Sequence, residues 1–400
     1  MVIHLDDCQQ FYDGEQAMTL FHGGDIQSAS EQFDIPVDDW IDLSTGISSF
    51  SYPVKALLST IDPLVFERLP YLQKEFLHHA AQYYGCSDLL AVPGTQSAIQ
   101  LLPNCLASFT NNHSKAGNNS LPILLPTTGY QEHKTAWEKV STCTYYDAFD
   151  LRKATSQIDQ SLLANPEQHL LVINPNNPTG QQFSVKQLQT WASCLSGGGH
   201  LIVDEAFIDT QAENSLLSEP LANNVVVYRS FGKFFGLAGI RVGFVFADQK
   251  LLNTLHDKIG LWAINGPAQT IVIQACSDVQ WQQTARAEIQ KASMLNQALF
   301  SPLFAKLKVK EAHHDSLFSS YCLDEILAEK LLHFFAGEGV LLRKIPLQNG
   351  VAILRAGCIH PQEHAKVEQL TKIVQHAEKV FGNAAFSKKT DEISRRIENA

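Results

Sequence analysis

Hydrophobic and polar positions alternate along this chain in blocks whose period switches between strand-like and helix-like. Short apolar runs closed by turn residues stand at 89–93 (LLAVP), 122–126 (PILLP), 169–174, 199–204, 223–229 and 243–247. Each reads as a buried strand. Helical spacing occupies 65–85, 151–165 and 184–195. In the first of these, Pro70 lies near the start and Gly85 gives the stop, and Leu72, Phe76, Leu77, Ala80 and Tyr84 form the core face. The pattern AIQLL after Gly94-Thr95-Gln96-Ser97 begins another helix, which Pro103 is expected to end or kink. Strands alternating with helices predict an α/β domain with a mostly parallel, doubly wound sheet.

Around 250–300 the pattern becomes long helices poor in glycine, marking passage into a second domain. Beyond it, 308–323 (KVKEAHHDSLFSSYCL) reads as a strand pair and 324–339 as a helix stopped by glycine. The runs GVLLRK and VAILRAG are further strands, carrying Arg343 and Arg355. The expected division is an arm at 1–50 serving the small domain and the active site, a large domain at 51–265, a smaller α+β domain at 266–385 and a polar tail at 386–400.

Composition narrows the classes. The chain has 400 residues, 45% hydrophobic and 18% charged, with a net charge of −11 and no basic block. That disfavours nucleic acid or an anionic membrane as the main partner. No apolar run reaches the roughly 18 residues of a membrane span, and the first ten residues lack signal-peptide character. The eight cysteines contain no C-x-x-C pair, so neither a metal site nor a disulfide framework is predicted, and a reducing cytoplasm is the expected setting.

Three stretches carry chemistry. In RSFGKFFGLAGIRVG (229–243), Lys233 sits where little other charge stands and Arg241 follows eight residues later. Desolvation lowers an amine's pKa and makes it a nucleophile, able to hold an aldehyde as a Schiff base. Ser230 and Arg241 suit a phosphate. INPNNPTG (173–180) and LIVDEAFID (201–209) place Asn177 and Asp204 just beyond strand ends, where open α/β sheets bind ligands. The turn at Thr95 and Gln96 offers helix N-terminal N–H groups to an anion, and Tyr130 is placed to stack on a planar ligand. His22-Gly23-Gly24 and the turn at Gly46 permit close backbone approach.

Together these motifs resemble the class I/II aminotransferases, the fold type I pyridoxal 5′-phosphate (PLP) enzymes. The resemblance implies PLP as cofactor and a homodimer with active sites at the interface. Lys233 would be the cofactor's covalent partner and proton carrier. Thr95, Gln96, Tyr130, Asn177, Asp204, Ser230 and Arg241 would bind the cofactor. His22, Gly23, Gly46, Asn177, Arg343 and Arg355 would lie on the substrate side, with Arg355 as the carboxylate-binding arginine. Within the family, HGG (22–24), DLSTGI (42–47), PGTQSAIQLLP (93–103) and the Lys233 stretch are similar to threonine-phosphate decarboxylases of cobalamin biosynthesis. Those stand near histidinol-phosphate aminotransferases. The resemblance thus implies decarboxylation of a small phosphorylated amino acid; transamination, or PLP binding without catalysis, are the alternatives. Two positions depart from the family. Phe207 stands where a tyrosine is usual, and Arg68-Leu69-Pro70-Tyr71 displaces the tyrosine expected to reach the partner's cofactor, leaving Tyr71 as substitute.

Overall fold

A computed structural model of the chain describes residues 23–110, 120–309 and 311–382. Its strands are β1 (Ile41–Asp42), β2 (Leu89–Val92), β3 (Ile123–Pro126), β4 (Cys143–Tyr146), β5 (His169–Ile173), β6 (Leu201–Asp204), β7 (Val225–Ser230) and β8 (Gly243–Phe246). β9 (Glu311–His314), β10 (Phe318–Asp324), β11 (Val340–Leu341), β12 (Arg343–Pro346) and β13 (Val351–Gly357) follow. Seven form a central sheet in the order β2-β8-β7-β6-β5-β3-β4. β3 through β7 pair in parallel; β8 runs antiparallel to both its neighbours.

Why these runs are apolar throughout is visible in β5, where all five residues are buried. Leu170 and Val172 enter one core cluster, and Leu171 and Ile173 the other. A strand covered on both faces loses polar–apolar alternation and keeps only its length as a signal. A third cluster lies under the four-stranded antiparallel sheet β12-β13-β10-β9, where Tyr321, Leu354, Phe300 and Phe335 meet. The short parallel pair β1–β11 ties Ile41–Asp42 to this second body.

One helix expectation needs correction, and a second loses one of its alternatives, an end at Pro103. The helix read across 65–85 is broken into Leu64–Glu67 and Lys74–Tyr84. Pro70 lacks an N–H and drives the residue before it out of the helical region, which separates the turns. Pro103 does not end its helix, which runs Thr95–Thr110. Burial of Ala98, Ile99, Leu102, Cys105 and Leu106 in one core cluster holds the helix together across the proline. No helix among the described residues is long and apolar enough to cross a membrane.

Candidate active site

The C-terminal ends of β2, β3, β5, β6 and β7 converge on a cavity of about 240 Å³. All the site residues expected from sequence line it, except His22, which lies outside the described residues. Lys233 sits on the short helix Phe231–Phe234 that β7 runs into; Phe231 and Phe234 are buried on either side and anchor it. Ser230 begins that helix but makes no side-chain capping bond, so its hydroxyl remains available to the cavity.

On the next strand, Asp204 closes β6 with both carboxylate oxygens engaged. Oδ2 meets His133 Nε2 at 2.8 Å, and Oδ1 accepts from the Ala206 N–H at 3.0 Å. His133 was not foreseen. It is buried on the helix Gln131–Glu138, three residues after Tyr130, and helical spacing from that tyrosine is the signal that could have found it. Tyr130 donates to Gln96 Oε1 at 2.8 Å, which fixes both side chains at the cavity edge. Gly94 has φ +74°, and a Cβ there would meet Arg241 Nη2 at 2.6 Å. This glycine lets the N-terminus of the helix Thr95–Thr110 and the Arg241 guanidinium share one corner.

The other wall comes from the second body. Arg355 of β13 is buried; it donates from Nη1 to Asn177 Oδ1 at 2.6 Å and from Nη2 to the Ser44 carbonyl at 2.6 Å. The first bond occupies the Asn177 oxygen and so leaves its amide Nδ2 as the donor. Arg343 of β12 lies directly opposite Arg355 in the strand register. Like charges in that relation repel, and the Nε atoms of both arginines are buried without a hydrogen-bond partner among the described residues. Burial, then Arg343, pulls the Arg355 pKa down to about 9. Burial first, and Arg355 first among the surrounding charges, lowers that of Lys233 to about 8. Gly46 lies against Phe207, where a Cβ would meet the ring at 2.7 Å; that ring is 5.6 Å from Lys233 Nζ.

The residues present therefore fit PLP: a desolvated amine, a carboxylate braced by a histidine, a helix N-terminus with Ser230 and Arg241 for a phosphate, and beyond them two arginines without an ion pair among the described residues. A model of the family "Aminotransferase class I and II" matches residues 38–314. The chain belongs to the class I and II aminotransferases. Its cofactor is that family's PLP, and its fold is fold type I. A threonine-phosphate decarboxylase of Pseudomonas aeruginosa is 36% identical over 275 residues, 68% of this chain and 76% of that protein. Another, from Sinorhizobium, is 36% identical over 258 residues, 63% of this chain and 70% of that protein. The crystal structure of histidinol-phosphate aminotransferase from Sinorhizobium meliloti in complex with PLP superposes with a TM-score of 0.70 at 17% identity, covering 91% of this chain and 96% of that one. The last likeness speaks to fold alone.

Proposed function

We propose that this aminotransferase-family member decarboxylates L-threonine O-3-phosphate to 1-amino-2-propanol O-2-phosphate and CO2, a step of cobalamin biosynthesis. The observation that carries the reading is the opposed pair Arg343 and Arg355. A buried and a half-buried cation side by side, with no ion pair to either among the described residues, suit a ligand with two anionic groups. The α-carboxylate and phosphate of threonine phosphate meet that demand in one molecule; histidinol phosphate carries the phosphate alone, and a transaminase would meet it only through its keto acid. The 36% identity to two threonine-phosphate decarboxylases supports the same choice.

In this reading, Ser230, Arg241, Thr95 and Gln96 would hold the cofactor phosphate, Tyr130 would pack on its ring and Asp204 would hold its ring nitrogen. Asn177 would donate to the phenolate oxygen through Nδ2. PLP, when bound, supplies an electron sink for the substrate's Cα. Arg355 holds the substrate carboxylate as a planar fork, and Arg343 and the Gly23 and Gly46 turns border its far end. Loss of CO2 leaves the bond's electron pair at Cα, and Lys233 Nζ delivers a proton there, having taken it from the incoming substrate's ammonium group. Seven free cysteines among the described residues suit a reducing cytoplasm.

The test is to supply threonine phosphate and histidinol phosphate separately, with and without 2-oxoglutarate. CO2 release without the keto acid is expected. Turnover that requires the keto acid would establish transamination instead, and no turnover of either would leave a PLP-binding protein.

A further inference from the structure

Away from the catalytic cavity, the hairpin β9–β10 gathers three metal-binding side chains. Cys322 stands directly opposite Glu311, and His313 lies opposite Ser320, two pairs along. Residues two apart on a strand share a face, so the antiparallel register brings all three to one surface. Tyr321 and Leu323 occupy the other face and are buried in the core beneath. The thiol, the imidazole nitrogen and a carboxylate oxygen lie within 4.8 Å of one another.

The imidazole supplies a second observation. His313 Nε2 is shielded from solvent and makes no hydrogen bond among the described residues; it forms only a long ion pair with Glu311 Oε2 at 3.6 Å. The Phe149 ring covers the histidine at 5.7 Å between ring centroids. A shielded nitrogen that faces a carboxylate and a thiol, too far from the first for a hydrogen bond, is placed to share a cation with them.

We propose that Glu311, His313 and Cys322 form a zinc site on this hairpin. A zinc ion bonds thiolate at ~2.3 Å and nitrogen or oxygen at ~2.0–2.2 Å. Its ligand atoms then stand about 3.3–3.8 Å apart, so side-chain rotations of about 1 Å close the set. Binding replaces the S–H bond by a Zn–S bond and releases the proton to solvent. Three protein ligands leave the fourth position to water. Glu311 and Cys322 line a broad cleft together with Asp147 and Phe149, so the metal would be reachable from solution. Sequence spacing does not show such a site: His313 and Cys322 are nine residues apart, and only the strand pairing makes them neighbours.

The experiment is competition for zinc between the metal-stripped holoenzyme and a fluorescent chelator. One zinc per chain in the sub-micromolar range is expected. Cys322→Ser and His313→Ala should each weaken binding by at least ~100-fold, since even outer-shell changes around metals reach 10–100-fold. Glu311→Gln, at an exposed position, serves if the cysteine variant fails to fold, and it too should weaken binding. Absence of binding in the wild type, or undiminished binding in any of these folded variants, overturns the assignment.

Discussion

Lys233 and Phe207 set the chemistry at the smallest scale. The Lys233 amine loses its proton near pH 8 because burial and then Arg355 disfavour its charge. Capture of PLP by the apoenzyme needs the neutral amine, so its rate should rise with pH through about 8. Removing the Arg355 charge takes away a repulsion on the ammonium form and raises the lysine pKa. With Arg355→Met the rise should therefore move to higher pH, while Lys233→Ala should lose all PLP that borohydride fixes to the protein. A midpoint that stays in place with Arg355→Met would show that Arg355 does not tune the lysine. Phe207 is buried at the site a family tyrosine usually fills. A phenol donating to the cofactor's phenolate oxygen favours the fully charged oxygen and so lowers the pKa seen in the holoenzyme's absorbance. A hydrogen bond to a charged group contributes roughly 1.5–3 kcal/mol, part of which acts in both protonation states. Phe207→Tyr should lower that pKa by about one unit. An unchanged or raised value in a mutant that binds PLP would place Phe207 away from that oxygen.

At the scale of elements, the strand ends that carry Asp204 and Ser230 are locked from behind. Arg229 of β7 pairs with Asp209 and reaches Glu205 Oε2 at 3.5 Å and Ser215 Oγ at 2.9 Å, all buried. Glu205 follows Asp204 and Arg229 precedes Ser230, so this cluster fixes the backbone on which the cofactor residues stand. Breaking a buried pair leaves an uncompensated charge and costs about 3–5 kcal/mol. Arg229→Met should lower the urea midpoint accordingly, and a wild-type midpoint would show the cluster to be slack. Six of the seven strands of the central sheet were legible because each is a short apolar run ended by polar turn residues; the edge strand β4, CTYY with its middle residues exposed, has no such run and was missed. Lys233, Asp204 and Asn177 were legible because their motifs sit at those ends. The Arg229 cluster and His133 were not, since a buried charge looks like a surface charge until its partner, tens of residues away, is known. The reversed direction of β8 was equally invisible, because strand direction leaves no trace in a five-residue apolar run.

For the whole molecule the open question is what covers an exposed apolar patch. Phe66 is 66% exposed, Leu69 60%, Tyr71 68% and Leu261 63%. Tyr71 and Trp262 touch edge to face with centroids 6.2 Å apart, which joins the two segments into one surface. Beside it the helix Gly266–Ser277 packs tightly, since a Cβ on Gly266 would meet the Val65 carbonyl at 2.4 Å. Monomers rarely leave large contiguous apolar patches in water. We propose that a second copy of the chain covers this one across a two-fold axis, the commonest closed arrangement. Tyr71, which does not line its own chain's cavity, would then reach toward the partner's. Sedimentation at micromolar concentration should give a dimer. Phe66→Asp combined with Trp262→Glu places two carboxylates in the patch of each chain and should yield monomers with weakened PLP binding. Tyr71→Phe should leave the dimer intact and weaken PLP alone, which separates a contact to the cofactor from a contact between chains. An active wild-type monomer would overturn the assembly, and a monomeric double mutant with undiminished PLP affinity would show that each chain builds its site without the other.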